Sequence, residues 1–311
     1  MTAVASVKST LVRRNSSVVV MHLSRWLVWA LLGAAGIIRA AEPSFEYDKT
    51  VPSDIQQTAQ RDDAVALRDI SYALGDGRNA ATIVESKSPT TEPRAAILFV
   101  HWYGPPAPTS NRTQFIPDAV ELAKNGAISL LIDTPWSRPG YFRERTREGD
   151  YERSVQQVKE LRRALDILLA QPNIDAQRVA YVGHDFGAMY GALAAAVDDR
   201  VRAFVFMAGT QSFGDWFLYG KPKLEGEARQ RFVDELAPLD PVRYLPKLKI
   251  PKLLQFADDD EHVSKERADA LAAAAQEPKT VRIYHAGHEL NDEATRERIE
   301  WLKQQLKVPQ P

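Results

Sequence analysis

The chain of 311 residues contains no cysteine. Disulfide bonds, thiolate zinc sites and a cysteine nucleophile are therefore excluded. The chain also lacks an excess of charge of either sign, because 40 Lys and Arg residues stand against 41 Asp and Glu residues. This balance provides no electrostatic footprint for nucleic acid or an anionic membrane surface, so we expect a small-molecule substrate instead. The oligomeric state stays open.

A hydrophobic run long enough to span a bilayer is also missing. The apolar run 26–38 is shorter than the roughly 20 residues that a spanning helix needs. It follows basic residues and precedes two alanines at 40 and 41, a layout typical of a cleavable export signal. We therefore predict a signal peptide over 1–41 and a periplasmic or secreted protein with no stable membrane insertion after cleavage. An uncleaved anchor is the alternative, and Met21 is an alternative start.

The sequence after residue 41 alternates buried-strand patterns with helical patterns. This alternation predicts an α/β domain over 42–311 with a mostly parallel sheet and helices on both faces. A long helix is predicted at 151–171, where apolar residues recur at spacings of three and four and Pro172 ends the pattern. Strands are predicted at 95–102, 127–133, 178–185, 201–209, 251–257 and 280–286, after a leading antiparallel pair at 64–74 and 79–86.

The segment 210–245 is longer than an ordinary connection between two strands. Its first part carries the aromatic residues Phe213, Trp216, Phe217 and Tyr219. One interpretation is a small lid insertion that covers a substrate pocket. The other is a surface helix whose aromatic side chains form a small core of their own.

The stretch 182–188 reads VGHDFGA and joins a predicted strand to a helix rich in small residues. A junction this short forces its central residue, Asp185, into a strained conformation, and small neighbours such as Gly183 and Gly187 are then required. The pattern is that of a nucleophile elbow, with a carboxylate in the position where serine is common. The start of the following helix favours the ionised form of that carboxylate.

An acid and a base are expected further along the chain, after later strands. We choose Asp260 as the acid because two residues and then the apolar Val263, which begins the next helix, follow it. Asp258 and Asp259 remain alternatives. His288, in a loop after the last predicted strand, is the preferred base, and His285 is the alternative. No cofactor is expected; a metal site made by the two histidines and the aspartate cluster is the weaker interpretation.

Donors for an oxyanion hole are expected at the end of the strand 95–102, where the chain reads HWYGPP. The backbone N–H of Trp102 or Tyr103 could complete such a hole together with the N–H of Phe186. His101 is interpreted as a buried residue beneath the site that holds this loop.

Together these motifs resemble the α/β-hydrolases over about residues 65–307. HWYGPP, GHDFGA, LLQFADDDEHV and YHAGHEL look most like the dienelactone-hydrolase-like branch, whose members generally use serine or cysteine as nucleophile. The elbow GHDFG is instead similar to that of epoxide hydrolases and haloalkane dehalogenases. It departs from the dehalogenase pattern because Phe186 stands where those enzymes have a halide-binding tryptophan. The second resemblance implies an Asp185–His288–Asp260 triad.

The chemistry of a carboxylate nucleophile favours attack on saturated carbon. Attack on an ester carbonyl would form an anhydride while expelling an alkoxide far more basic than a carboxylate, whose conjugate acid has a pKa of about 4. Attack on an epoxide or haloalkane instead gives an alkyl-enzyme ester that activated water can cleave. The sequence therefore predicts covalent hydrolysis of a small apolar epoxide or haloalkyl compound. A dienelactone or carboxylic ester hydrolase and a non-catalytic binding protein remain alternatives.

Overall fold

A computed structural model describes residues 42–88, 90–105, 107–219 and 223–309. The predicted signal peptide over 1–41 lies outside these residues and stays a prediction. Within the described ranges no helix has both the length and the apolar character needed to cross a bilayer.

The centre of the described structure is one nine-stranded sheet. Its strands lie in the order β1-β2-β3-β5-β4-β6-β7-β8-β9. The first three strands and β5 pair antiparallel, whereas all pairs from β5 to β9 are parallel. The strands are β1 Gln56–Asp62, β2 Ala66–Leu74, β3 Gly77–Glu85, β4 Arg94–Val100, β5 Ile128–Ile132, β6 Ile174–His184, β7 Ala203–Met207, β8 Lys252–Ala257 and β9 Lys279–Tyr284.

Helices pack on both faces of the sheet. Side chains of α1 and α8 share one apolar core with the strands, and those of α3, α4 and α7 share the other. Successive residues of β4 alternate between the two cores, as the period of a strand requires. The helices are α1 Ile116–Lys124, α2 Tyr141–Glu144, α3 Asp150–Leu169, α4 Phe186–Val197, α5 Phe213–Leu218, α6 Gly226–Leu236, α7 Lys265–Ala274 and α8 Asp292–Gln305. The predicted α/β architecture is therefore confirmed.

Strand β1 was not predicted from the sequence. All seven of its residues are exposed, so it has no alternation between apolar and polar positions. It lies at the edge of the sheet and has an irregular register against β2 between Gln57 and Ala59. A polar, irregular edge strand is a common protection against pairing with another chain.

The parallel strands bring distant parts of the chain to one edge of the sheet. The carboxyl ends of β4, β6, β7, β8 and β9 all lie there, because parallel strands end on the same side. The loop 101–105 follows β4, the elbow follows β6, and the loops that carry Asp260 and His288 follow β8 and β9. This arrangement assembles the candidate site.

Candidate active site

Asp185 is the single residue between β6 and α4. Its backbone has φ 55° and ψ −118°, a conformation that residues with a side chain rarely adopt. Its N–H donates to the carbonyl of Met207 at 2.9 Å, which anchors the turn to β7. The close approach of α4 to the sheet requires glycine: a Cβ on Gly187 would lie 2.2 Å from the Val100 carbonyl oxygen, and one on Gly183 would lie 2.4 Å from the Gly187 carbonyl carbon. The elbow is a strained and tightly packed junction.

Gly187→Ala is expected to destabilise the protein by about 3 kcal/mol or more, because the new methyl group meets backbone atoms of β4 that cannot move independently of the sheet. Urea unfolding measures the change. Gly77→Ala is the matched control, since a Cβ there has its nearest neighbour 3.9 Å away. Equal stability of the two variants would contradict the proposed close packing at the elbow.

The two oxygens of the Asp185 carboxylate have different surroundings. The side chain is buried, with 1% of the residue's surface exposed. Oδ2 accepts a hydrogen bond from the backbone N–H of Tyr103 at 3.0 Å, whereas Oδ1 has no partner. Burial raises the pKa of Asp185 to about 7, and the charge of His288 and hydrogen bonding from the N–H groups of Tyr103 and Phe186 oppose this rise.

Trp102 does not contribute its N–H to this carboxylate, in contrast to the expectation from the sequence. That N–H donates to Gln114 Oε1 at 2.9 Å. The two backbone donors that act on Asp185 are therefore those of Tyr103 and Phe186. Sequence reasoning could not separate the two adjacent N–H groups, because the acceptor of the first is a side chain on a distant loop.

The structure brings Asp260 and His288 together. Asp260 Oδ2 lies 2.9 Å from His288 Nδ1, and both side chains are buried. Asp260 Oδ1 accepts the backbone N–H groups of His262 and Val263 at 2.8 and 3.0 Å, which fixes the carboxylate. Burial alone would lower the pKa of His288, but the hydrogen bond to Asp260 and the charges of Asp185 and Asp260 outweigh it and raise that pKa. His288 Nε2 has no partner.

The alternative acid and base form a separate pair outside the cavity. His285 Nδ1 lies 3.2 Å from Asp258 Oδ1, and the histidine side chain is 94% exposed. Asp259 is exposed as well. Among the residues that the structure describes, no group of three or more His, Asp or Glu side chains is arranged to hold a metal ion.

His184 ties the elbow to the carbonyl of His288, a role that the sequence did not reveal. Its Nε2 lies 3.0 Å from the His288 carbonyl oxygen, and its Nδ1 lies 2.6 Å from Gln114 Nε2. Burial lowers the pKa of His184 far below its ordinary value, so the ring is neutral. Its Nε2–H therefore donates to the carbonyl, while its Nδ1 accepts from the amide of Gln114. Since Gln114 also accepts from Trp102, one chain of hydrogen bonds joins the loops after β4, β6 and β9.

Gln114→Met is expected to lower the free energy of unfolding by about 1–3 kcal/mol, because it leaves both His184 Nδ1 and the Trp102 N–H without a partner. Denaturant titration provides the measurement. Gln177→Met, at an exposed position, is the matched control. A Gln114 variant as stable as this control would show that the chain of hydrogen bonds contributes nothing.

His101 lies beneath the site, as the sequence suggested. Its Nδ1 lies 2.7 Å from the Trp102 carbonyl oxygen, and its Nε2 lies 2.7 Å from Thr134 Oγ1. Burial lowers the pKa of His101 to about 4. A neutral ring with the proton on Nδ1 satisfies both contacts, so His101 links the loop after β4 to the loop after β5.

Solved structures share this arrangement of sheet and helices. Acetyl xylan esterase from Paenibacillus sp. R4 superposes with a TM-score of 0.64 at 18% identity over 81% of this chain and 89% of that chain. Acetyl xylan esterase 1 from Thermoanaerobacterium sp. JW/SL YS485 gives 0.66 at 16% identity over 84% and 89%. A 2,6-dihydroxy-pseudo-oxynicotine hydrolase gives 0.59 at 16% identity over 78% and 68%. The chain has an α/β-hydrolase fold.

No protein-family model and no curated protein sequence matches the chain. At identities this low the solved structures establish the α/β-hydrolase fold alone, so the chemistry has to be argued from the residues of the site.

A cavity of about 650 Å³ opens above the elbow of this α/β-hydrolase fold. Asp185, His288 and His262 lie in its wall, and the exposed Arg143 also lines it. The other large side chains that line it are the aromatic residues Tyr103, Phe142, Phe186, Trp216 and Tyr219. A mostly aromatic cavity of this size with a few polar groups fits a small apolar compound with one reactive centre.

Part of the segment 210–245 contributes to this cavity. Trp216 and Tyr219, on and just after α5, line it, while Phe213 and Phe217 pack into the main core. The start of α5 is held by Asp240, whose Oδ1 accepts the Phe213 N–H at 2.8 Å. The structure therefore combines the two interpretations of the segment, since its aromatic side chains both cover the pocket and fill a core.

A second segment, after β5, meets α5 at the cavity. Phe142 lies in the cavity wall, and the nearby Arg145 stacks over the ring of Phe217 with its guanidinium carbon 4.5 Å from the ring centroid. Arg145 also donates to the Phe217 carbonyl at 2.8 Å and forms a buried ion pair with Asp150. Arg145 thus joins the two segments that enclose the cavity.

Proposed function

We propose that this protein is a hydrolase that opens an epoxide, or displaces a halide, through an alkyl ester formed on Asp185. The observation that carries the proposal is the division of labour between the two oxygens of this carboxylate. Oδ2 is held by the backbone N–H of Tyr103, and Oδ1, without a partner, belongs to a residue of the cavity wall. An immobilised carboxylate with one free oxygen is suited to attack a carbon atom in the cavity.

In the first step Asp185 Oδ1 forms a bond to a saturated carbon of the substrate. The bond from that carbon to the epoxide oxygen or the halogen breaks, and its electron pair leaves with that atom. The negative charge moves from the buried carboxylate to the leaving group, so the aromatic cavity does not hold two negative charges at once.

In the second step His288 Nε2 takes a proton from water, and the hydroxide attacks the carboxyl carbon of Asp185. The negative charge that develops falls on Oδ2, where the N–H groups of Tyr103 and Phe186 stabilise it. Asp260 stabilises the imidazolium of His288 through their hydrogen bond of 2.9 Å. Collapse of the intermediate returns the proton to the departing alkoxide and regenerates the carboxylate.

An ester hydrolase in which Asp185 is the general base is the second candidate. A carboxylate whose pKa is raised to about 7 by burial is well matched to proton abstraction near neutral pH. The hydrogen bonds argue against this candidate, because the donors that would stabilise the oxyanion of an ester are the ones that act on Asp185 itself. An ester would have to displace that carboxylate oxygen before its own oxyanion could be stabilised.

We place epoxides ahead of haloalkanes as substrates. The residue after the nucleophile is Phe186, which has no N–H in its side chain and cannot hold a halide as an indole does. The cavity offers other donors that could meet an epoxide oxygen, among them the hydroxyl groups of Tyr103 and Tyr219.

The proposal is tested by assaying the parent protein, Asp185→Ser and His288→Ala against panels of epoxides, haloalkanes and esters. We expect the parent to turn over epoxides or haloalkanes and both variants to lose this activity. Ester hydrolysis that is gained or retained in Asp185→Ser, without epoxide or haloalkane turnover in the parent, would favour the esterase candidate. No turnover by any of the three proteins would favour a binding protein on a hydrolase scaffold.

A further inference from the structure

Three residues of the cavity wall each have a buried side-chain atom without a hydrogen-bond partner. Within the described part of the wall these atoms are Asp185 Oδ1, His288 Nε2 and His262 Nδ1. The proposed reaction uses the first two and leaves the third unexplained. A buried polar atom without a partner costs free energy in the empty site, so such an atom in a cavity wall is a candidate contact for a ligand.

The position of His262 is fixed from several sides. Its backbone N–H donates to Asp260 Oδ1 at 2.8 Å, so it is anchored to the carboxylate that holds His288. Its ring stands edge-on to the rings of His288 and Tyr219, each with a centroid distance of 4.9 Å. A histidine held between the proposed base and the covering segment is placed to meet any compound that reaches Asp185.

The surroundings of the His262 ring determine which of its nitrogens accepts a hydrogen bond. Burial and the charge of His288 lower its pKa, whereas Glu261 and Asp260 act in the opposite direction, and the net shift is downward. The ring is therefore mostly neutral at pH 7. Glu261 Oε1 lies 3.4 Å from Nε2 and favours the proton on that nitrogen, which leaves the lone pair of Nδ1 as an acceptor.

We propose that His262 Nδ1 accepts a hydrogen bond from a hydroxyl group of the substrate. Building on the proposed function, this assigns the substrate class as epoxides that carry an apolar, ring-sized group and a hydroxyl group close to the reacting carbon. An ammonium group would also donate, but Arg143 and His288 line the same cavity and disfavour a cation there. A neutral hydroxyl donor satisfies His262 without this repulsion.

Turnover of a matched pair of epoxides tests the assignment. 3-Phenylglycidol and 1-phenyl-1,2-epoxybutane differ only in a hydroxyl group against a methyl group. We expect the ratio of their kcat/KM values to fall about tenfold or more from the parent to His262→Phe, which corresponds to the loss of one buried hydrogen bond. His262→Asn, which keeps a polar atom near the position of Nδ1, should recover part of the ratio. His285→Phe, at the exposed histidine, is the control and should leave the ratio unchanged.

Binding of unreactive analogues keeps the test independent of turnover. Cinnamyl alcohol and 1-phenyl-1-butene are the corresponding alkenes, and equilibrium dialysis gives their Kd values for the parent and for His262→Phe. We expect the ratio of the two Kd values to change about tenfold in favour of the hydrocarbon in the variant. A changed binding ratio without turnover of either epoxide would overturn the proposed reaction and support the role of His262. An unchanged binding ratio would overturn the role of His262, whatever the turnover.

Discussion

Asp185→Asn is expected to lower kcat for an epoxide or haloalkane by at least about 10⁴-fold, because the amide oxygen is a far weaker nucleophile than the carboxylate. The substitution preserves shape, and its oxygen can still accept the N–H of Tyr103, so the fold of the elbow is retained. Steady-state kinetics on the best substrate of the panel provide the measurement.

The matched control for this variant is Asp258→Asn. Asp258 is an exposed carboxylate that pairs with His285 outside the cavity, so its replacement should leave kcat within about twofold. An Asp185→Asn variant that retains more than about a tenth of the parent activity would contradict a nucleophilic role for this residue.

The same variant should be more stable than the parent at neutral and alkaline pH. Burial raises the pKa of Asp185 from 3.8 to about 7, so the folded state binds the proton more tightly than the unfolded state does. The parent therefore loses stability, relative to the variant, as the pH rises from about 4 to about 7, by up to about 4 kcal/mol. Unfolding curves at several pH values measure this difference, and a difference independent of pH would contradict the buried charge.

His288→Gln is expected to stop the reaction after its first step. The alkyl ester can still form on Asp185, but water is no longer activated, so kcat should fall about 10²–10⁴-fold. Intact-protein mass spectrometry should then show one equivalent of substrate added to the protein for an epoxide. A peptide map should place the added mass on Asp185.

The exposed histidine provides the control for this experiment. His285→Gln removes the partner of Asp258 and lies outside the cavity, so it should turn over substrate without accumulating an adduct. Loss of activity in His288→Gln with no adduct would indicate that the histidine acts before the bond to Asp185 forms, and would contradict the order of steps proposed above.

Much of the fold could be predicted from the sequence because the strands of the parallel sheet are continuous apolar runs. β4 and β8 are fully buried, and runs of this kind are recognisable without any partner. The elbow was recognisable for a different reason, since only glycine fits at position 187. β1 had no such signal, because a polar edge strand owes its structure to the pairing with β2.

The candidate site was predictable only where its residues follow a strand directly. Asp185, Asp260 and His288 were selected by their place after β6, β8 and β9. Gln114 lies just before α1, far from the elbow in the sequence, and nothing in its neighbours indicates that it contacts His184. The N–H of Trp102 was assigned to the wrong acceptor for this reason. Contacts between a loop and a distant side chain require the folded structure.

The central claim is that Asp185 itself bonds to the substrate, and the fate of oxygen from water tests it most directly. In a single turnover with protein in excess over epoxide in ¹⁸O-labelled water, Asp185 Oδ1 passes to the product and the oxygen of water enters the carboxylate. We therefore expect ¹⁸O in the peptide that contains Asp185 and none in the diol. Labelled diol with an unlabelled Asp185 peptide would show that water attacks the substrate directly, and would contradict the covalent mechanism.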